Sequence, residues 1–176
     1  MNLKDKIRNI PDFPKEGIVF RDITTLLKDK DAFRHSIDEL SNKFKSDDID
    51  VIAGIESRGF IVGGAMAYKM NKGFIPFRKP GKLPHETIKH EYEKEYGKDA
   101  IEIHKDAINK GDNVLIVDDL IATAGTAEAA VNLVEKTGGN IVGLVFIVNQ
   151  PVKGFEEKLE KLKQYGLYSL VNYKVE

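Results

Sequence analysis

Apolar residues recur at helical spacing at Phe33, Ile37, Leu40 and Phe44, and Asp50 then leads into the continuous apolar run VIAGI. The first pattern predicts a helix with one buried stripe, and the second a strand buried on both faces. The alternation repeats downstream: a helical stretch from about Gly59 to Met70, a strand GFIPF, a strand VLIV, a helix through Thr126 to Lys136, and a strand IVGLVFIV after Gly138 and Gly139. Phe155 to Tyr165 reads as a charged amphipathic helix, and YSLVNYKV as a closing edge strand. Strands that are apolar nearly throughout, interleaved with helices, predict an α/β fold with a central, mainly parallel sheet covered by helices on both faces. Residues 78–98, RKPGKLPHETIKHEYEKEYGK, break the pattern with two prolines, two glycines and many charges. That segment is expected to be a long mobile loop, of the kind that closes over active sites.

Composition narrows the partners. A chain of 176 residues corresponds to roughly one domain, large enough to bury its own core. Net charge is -1 and charged residues make up 31%, both signs being spread along the chain, so no basic arm for nucleic acid and no acidic tail is expected. The absence of cysteine excludes disulfides, thiolate metal sites and a cysteine nucleophile, and fits a reducing compartment. His35, His85, His90 and His104 lack metal-ligand spacing. The segment MNLKDKIRNIPDF is too charged for a signal peptide, and no apolar run approaches the ~18 residues of a membrane span. A cytoplasmic protein with no membrane partner is the expectation.

The candidate chemistry centres on residues 114–126, VLIVDDLIATAGT. Ligands of parallel α/β sheets bind beyond the carboxyl ends of the strands, which puts Asp118 and Asp119 at the expected rim. The following TAGT opens a helix whose free N–H groups, positive dipole end, threonine hydroxyls and close-approach glycine suit a phosphate. Carboxylates beside a phosphate cradle fit a ligand that carries both hydroxyls and a phosphate, as a ribose 5-phosphate does. Alone, the aspartate pair reads equally as a solvated strand end or as a support for magnesium in a nucleotide hydrolase. The sequence has neither a G-x-x-x-x-G-K-[ST] loop nor a spaced D-x-D, and this weighs against the hydrolase reading.

VLIVDDLIATAGT also resembles the phosphoribosyl pyrophosphate motif of the type I phosphoribosyltransferases. Four further segments, FPKEGIVFRDIT, IAGIESRGFI, RKPGKLP and EYGKDAIEIHKDAI, follow in that family's order across nearly the whole chain and are similar to its adenine-using branch. The resemblance implies a single phosphoribosyltransferase domain over residues 1–176, with a hood from about 1–30 and a lid loop at about 78–98. It implies purine salvage by pentosyl transfer: a ring nitrogen of adenine displaces pyrophosphate from the anomeric carbon of phosphoribosyl pyrophosphate, giving AMP. Mg2+ is expected to arrive on the substrate, with no direct protein ligands, and the assembly to be a homodimer.

Carried over by position, the resemblance assigns Asp118, Asp119, Ala122, Thr123, Ala124, Gly125 and Thr126 to ribose and its 5-phosphate. Ser57, Arg58, Arg78, Lys79 and Lys82 fall to pyrophosphate, with a cis peptide between Glu56 and Ser57. Three of the five arginines, Arg21, Arg58 and Arg78, lie inside the matched segments against 22 lysines in the chain, and the planar guanidinium suits phosphate oxygens. Backbone groups near Val19 and Arg21 are expected to read the adenine edge while Phe20 and Leu120 close on its faces. Glu95 takes the catalytic acid–base role, and Tyr96 packs the closed lid. On residue type alone, Phe20 reads as core and Glu95 as one acid among many on a solvated face. Two departures stand out: Ala124 replaces a usual glycine, and Pro80 stands where some relatives carry a basic residue. A xanthine/guanine-type phosphoribosyltransferase, or a non-catalytic regulator sensing a purine or phosphoribosyl pyrophosphate, remains open as an alternative.

Overall fold

The computed structural model describes residues 1–45, 48–93 and 97–175. A short 3-10 helix, Leu3–Lys6, precedes strands β1 (Arg8–Pro11) and β2 (Val19–Asp22) and helices α1 (Thr24–Lys28) and α2 (Lys30–Lys43). The predicted apolar strands follow as β3 (Val51–Ile55) and β4 (Gly73–Phe77), joined by α3 (Arg58–Met70). Strands β5 (Thr87–Glu93) and β6 (Lys98–His104) come next, then β7 (Asn113–Ile121), α4 (Gly125–Thr137), β8 (Asn140–Asn149), α5 (Glu156–Lys163) and β9 (Leu167–Asn172).

The central sheet has five strands in the order β4-β3-β7-β8-β9, and every neighbouring pair in it is parallel. Its two faces carry separate cores. On one, Ala53, Ile55, Ile116 and Phe146 pack with Ala130, Leu133 and Val134 of α4. On the other, Ile52, Leu115, Val117 and Val145 pack with Leu40 of α2 and with Val62 and Met66 of α3. Burying one such side chain stabilises by about 1.5–3 kcal/mol, so both layers hold the strand ends in place.

Helices α3 and α4 therefore leave the adjacent strands β3 and β7 toward opposite faces. A crevice opens between the carboxyl ends of two such strands, at the point where the winding direction reverses. The chain places Glu56–Ser57–Arg58 on one lip and Asp118–Asp119 on the other.

Two expectations need correction. VLIV is not a complete strand, since β7 runs on through both aspartates to Ile121; parallel pairing with β8 continues across them, and the backbone bonds hold them whatever their polarity. Residues 78–98 are not simply a loop, because β5 pairs antiparallel with β6 from Thr87↔His104 to Glu93↔Lys98. Charged residues on the outward positions masked the alternation, while Tyr92, Ile101 and Ile103 are buried. Arg78 ties this pair to the sheet by exchanging backbone hydrogen bonds with Glu102, at 2.9 and 2.7 Å.

Gly59 sets how close the two lips come. A Cβ there would lie 2.8 Å from Asp118 Oδ1 and 2.9 Å from the Val117 carbonyl, and the strand backbone cannot yield as a flexible side chain would. Gly59→Ala is expected to cost about 1–3 kcal/mol through overpacking, read as a lower urea midpoint; a midpoint equal to wild type would show that the lips are free to separate.

Candidate active site

Three cavities with common lining residues follow the rim of the crevice. The first, about 170 Å3, is lined by Asp118, Ile121, Ala122, Thr123, Ala124 and Thr126 among others. Helix α4 begins beside it, and Ala124 at the N-cap brings no side-chain hydrogen bond. The first-turn N–H groups and the positive end of the helix dipole are thus available to an anion in the cavity. Ala124 adopts φ +65°, the left-handed conformation in which glycine is favoured, which explains why a glycine is usual there. Gly125 is required by proximity, since a Cβ would sit 2.9 Å from the Glu93 carbonyl; strand β5 rests directly on this loop.

The second cavity, about 280 Å3, lies between the lips and is lined by Glu56, Ser57, Arg58, Lys79, Tyr92, Asp118 and Asp119 among others. The Glu56–Ser57 peptide is cis, as the resemblance implies. Each cation here already holds a carboxylate. Arg58 Nε donates to Asp119 Oδ2 at 2.6 Å, Arg78 Nε donates to Glu56 Oε2 at 3.2 Å, and Lys79 Nζ is paired with Asp99 while donating to the Tyr92 hydroxyl at 3.3 Å. Glu56 also accepts the Lys79 backbone N–H at 2.8 Å.

These contacts set the charge states. Burial is the largest influence on Arg58 and opposes its charge, yet the carboxylates of Asp119 and Asp118 outweigh it and raise the pKa. Lys79 is likewise raised, burial being overcome by Asp99 and Tyr92. Burial would raise Glu56, but the Lys79 N–H and Arg78 hold it below its ordinary value of 4.5. Asp118 goes the other way: burial first, and the neighbouring Asp119 charge second, push it well above 3.8.

The third cavity, about 450 Å3, is bounded by Val19, Phe20, Arg58, Leu120, Gln150 and Val152 among others. Phe20 meets Phe13 edge to face, with ring centroids 5.3 Å apart. Arg21 brings its backbone to this slot, but its side chain is buried elsewhere: Nη1 donates to Asn9 Oδ1 at 2.8 Å, and the guanidinium lies 4.1 Å from the Tyr173 ring centroid.

The structure thus brings together the expected residues of the aspartate and TAGT segments, Ser57, Arg58, Lys79, and the slot residues Val19, Phe20, Arg21 and Leu120. Arg78 approaches through Glu56 without lining the cavities, and Lys82 is exposed and lines none of the three. Glu95 and Tyr96 lie outside the described residues. Sequence reasoning missed Glu56, Asp99 and Tyr92 as partners of the cations, although all three lie within or beside the quoted segments. Among the described residues, no three His, Asp or Glu side chains gather to hold a metal ion.

A strand-end aspartate pair facing a helix-borne anion site, with cations across a crevice, is an arrangement for a sugar phosphate with an anionic leaving group. The chain belongs to the phosphoribosyl transferase family, whose domain matches residues 22–164. It is similar to the adenine phosphoribosyltransferase of Chlorobium limicola, 55% identical over 175 residues and 98% of each chain. Among solved structures it is similar to the adenine phosphoribosyltransferase of Thermoanaerobacter pseudethanolicus, with a TM-score of 0.90, 48% identity and coverage of 97% of this chain and 98% of that one. The enzyme of Saccharomyces cerevisiae, solved with adenine and an imino-altritol bisphosphate, gives a TM-score of 0.86 at 42% identity, covering 96% of each chain.

Asp118 makes stability depend on pH in a particular direction. Its native form holds a proton more tightly than the unfolded chain does, so the ligand-free protein gains stability from this group as pH falls from neutrality toward 3.8 and loses it as pH rises through the raised value. Glu56, held low, acts in the opposite sense and only below about 4.5. Asp118→Asn is therefore expected to raise the urea midpoint at pH 7 and to flatten the pH dependence above the ordinary aspartate range, while weakening sugar-phosphate binding. Lower stability at pH 7 would show that the ionised carboxylate is well compensated.

Proposed function

We propose that this chain is an adenine phosphoribosyltransferase, joining adenine to phosphoribosyl pyrophosphate to give AMP and pyrophosphate in purine salvage. The observation that carries this reading is a group of three cavities on one sheet rim that meet at Leu120, with Asp118, Thr123 and Arg58 each shared by two of them. An anion site, a pair of carboxylates and an apolar slot adjoin one another there, matching the phosphate, sugar diol and heterocycle of the product.

In this reading the 5-phosphate lies at the start of α4, on Ala122 to Thr126, and Asp118 and Asp119 accept hydrogen bonds from the ribose hydroxyls. Pyrophosphate faces Ser57, Arg58 and Lys79, with Arg78 and Lys82 as further cations from the same segment. Adenine lies between Phe20 and Leu120, its edge read by the backbone at Val19 and Arg21. The bond from the anomeric carbon to pyrophosphate breaks with its electron pair leaving on oxygen. A ring nitrogen of adenine bonds to that carbon and loses a proton, which the reading gives to Glu95. Positive charge develops on the sugar as the bond breaks, and fixed carboxylates beside it stabilise that charge without reorganising. Mg2+ enters as part of the substrate and offsets charge on the phosphates. Arg58 is then shared differently: the diol takes Asp119, and pyrophosphate takes the guanidinium.

The reading treats residues 1–176 as one domain, with residues 1–30 as its hood and 78–98 as its lid, in a cytoplasmic homodimer. Exposed Ile61 and Tyr68 on α3 and Phe74 on β4 support a second copy docking on that face, since apolar patches of this kind mark interfaces. No helix among the described residues is long and apolar enough to cross a membrane.

Pyrophosphate release in the presence of Mg2+ and phosphoribosyl pyrophosphate tests the reading, with adenine, hypoxanthine, guanine and xanthine offered separately. Strong release with adenine alone is expected. Release with another base alone would keep the chemistry and overturn the slot assignment; substrate binding with no release from any base would favour the sensing regulator. Glu95→Gln is expected to lower kcat by about a hundredfold or more with little change in phosphoribosyl pyrophosphate affinity, and an unchanged kcat would remove Glu95 from the mechanism.

A further inference from the structure

The slot between Phe20 and Leu120 is assembled from two distant parts of the chain, β2 near the N-terminus and the carboxyl end of β7. Its width is therefore a tertiary property. In the register of β1 and β2, Val19 stands opposite Pro11. Proline has no N–H, so the Val19 carbonyl receives no donor from that partner. Its donor comes instead from across 131 residues of sequence: Gln150 Nε2 donates to the Val19 oxygen at 3.0 Å. Gln150 directly follows β8, and its own backbone N–H donates to the Ile121 carbonyl at 2.9 Å. Val19 adjoins Phe20, and Ile121 adjoins Leu120. One residue is thus hydrogen-bonded to the immediate neighbours of both walls, and it lines the same cavity as they do.

We propose that Gln150 is the spacer of the base slot, a positioning residue that fixes the gap between the Phe20 and Leu120 walls and the orientation of the Val19 carbonyl. The proposal rests on the reading of this cavity as the adenine slot. A carbonyl oxygen accepts two hydrogen bonds. With the side-chain amide on one lone pair, the other is held toward the slot, where an amino group on the base edge donates to it and an oxo group is repelled. The gap admits a flat ring, and the oriented carbonyl favours an amino-bearing purine over an oxo-bearing one. Gln150 touches no reacting atom, so its removal acts on base binding and choice.

Steady-state kinetics of Gln150→Leu and Gln150→Glu test this, with Phe20→Ala alongside. Gln150→Leu keeps the bulk and removes the donor; it is expected to raise the KM for adenine roughly three- to tenfold and to narrow the preference for adenine over hypoxanthine. The KM for phosphoribosyl pyrophosphate and kcat should stay within about twofold, with the urea midpoint near that of wild type. Gln150→Glu turns a carboxylate on the carbonyl and should raise the adenine KM further. If both variants leave that KM unchanged while Phe20→Ala raises it, the spacer role is overturned and the slot stands. If Phe20→Ala also leaves it unchanged, the slot reading fails first and the spacer with it. Equal rises in both substrates' KM values, or a large loss of stability, would mark Gln150 as general scaffolding and overturn the proposal.

Discussion

Two consecutive carboxylates at the end of a buried strand repel one another, and the whole site depends on how that repulsion is contained. Asp119 is almost fully buried and is held by Arg58 at 2.6 Å. Asp118 accepts the Asp119 backbone N–H at 2.8 Å, but burial and the neighbouring Asp119 charge outweigh it and raise its pKa. The arrangement is possible because β3 and β7 are neighbours in the sheet and because Gly59 lets the start of α3 come down onto β7. A sheet held by two packed cores keeps the carboxylates where a diol can use them, at a cost in stability to the ligand-free state. Sites that bind charged or polar ligands commonly carry such a cost.

The cations are handled by a related principle. Lysine and arginine at an empty polyanion site would repel each other and stay loosely placed. Here Arg58, Arg78 and Lys79 are each ordered on a carboxylate, Asp119, Glu56 and Asp99 respectively. The cations keep about a third or more of their side chains in solvent while their carboxylates are mostly buried, so a phosphate-rich ligand can take a cation only where another donor satisfies the acid left behind. The pairing of Lys79 with Asp99 on β6 also joins the β5–β6 pair to this cavity. The contact of Gly125 with β5 joins it to the anion site at the start of α4. Movement of those strands would therefore be felt at both cavities.

Legibility in the sequence followed the strength of the physical signal. The buried strands were plain because parallel strands covered on both faces are apolar nearly throughout, and the start of α4 was plain because threonine and glycine cluster there. The continuation of β7 through Asp118 and Asp119 was hidden because its cause is backbone pairing with β8. Strands β5 and β6 were hidden because their outward positions carry lysine and glutamate, which dilute the period-two pattern below the level a loop would show. Arg21 lines the slot, but no sequence feature foretells that its guanidinium turns to Asn9 and Tyr173. Gln150 carries no motif at all, since its part depends on a contact with a carbonyl 131 residues away.

Ala124 shows how far the anion site belongs to the backbone. A left-handed alanine costs about 1–2 kcal/mol relative to the right-handed form. Its methyl is buried, with 4% exposure, and returns about 0.8 kcal/mol through removal from water. Alanine also restricts the unfolded chain more than glycine does, by about 0.4–1 kcal/mol. These gains offset the strain only in part, because alanine at positive φ costs more than its unfolded-chain restriction returns, and φ +65° at this position is therefore imposed by the junction of β7 with α4. In the proposed reading, phosphate binding at this end of the site would rest on the strand–helix junction, and choice of base at the other end on side chains that hold two distant backbone segments apart.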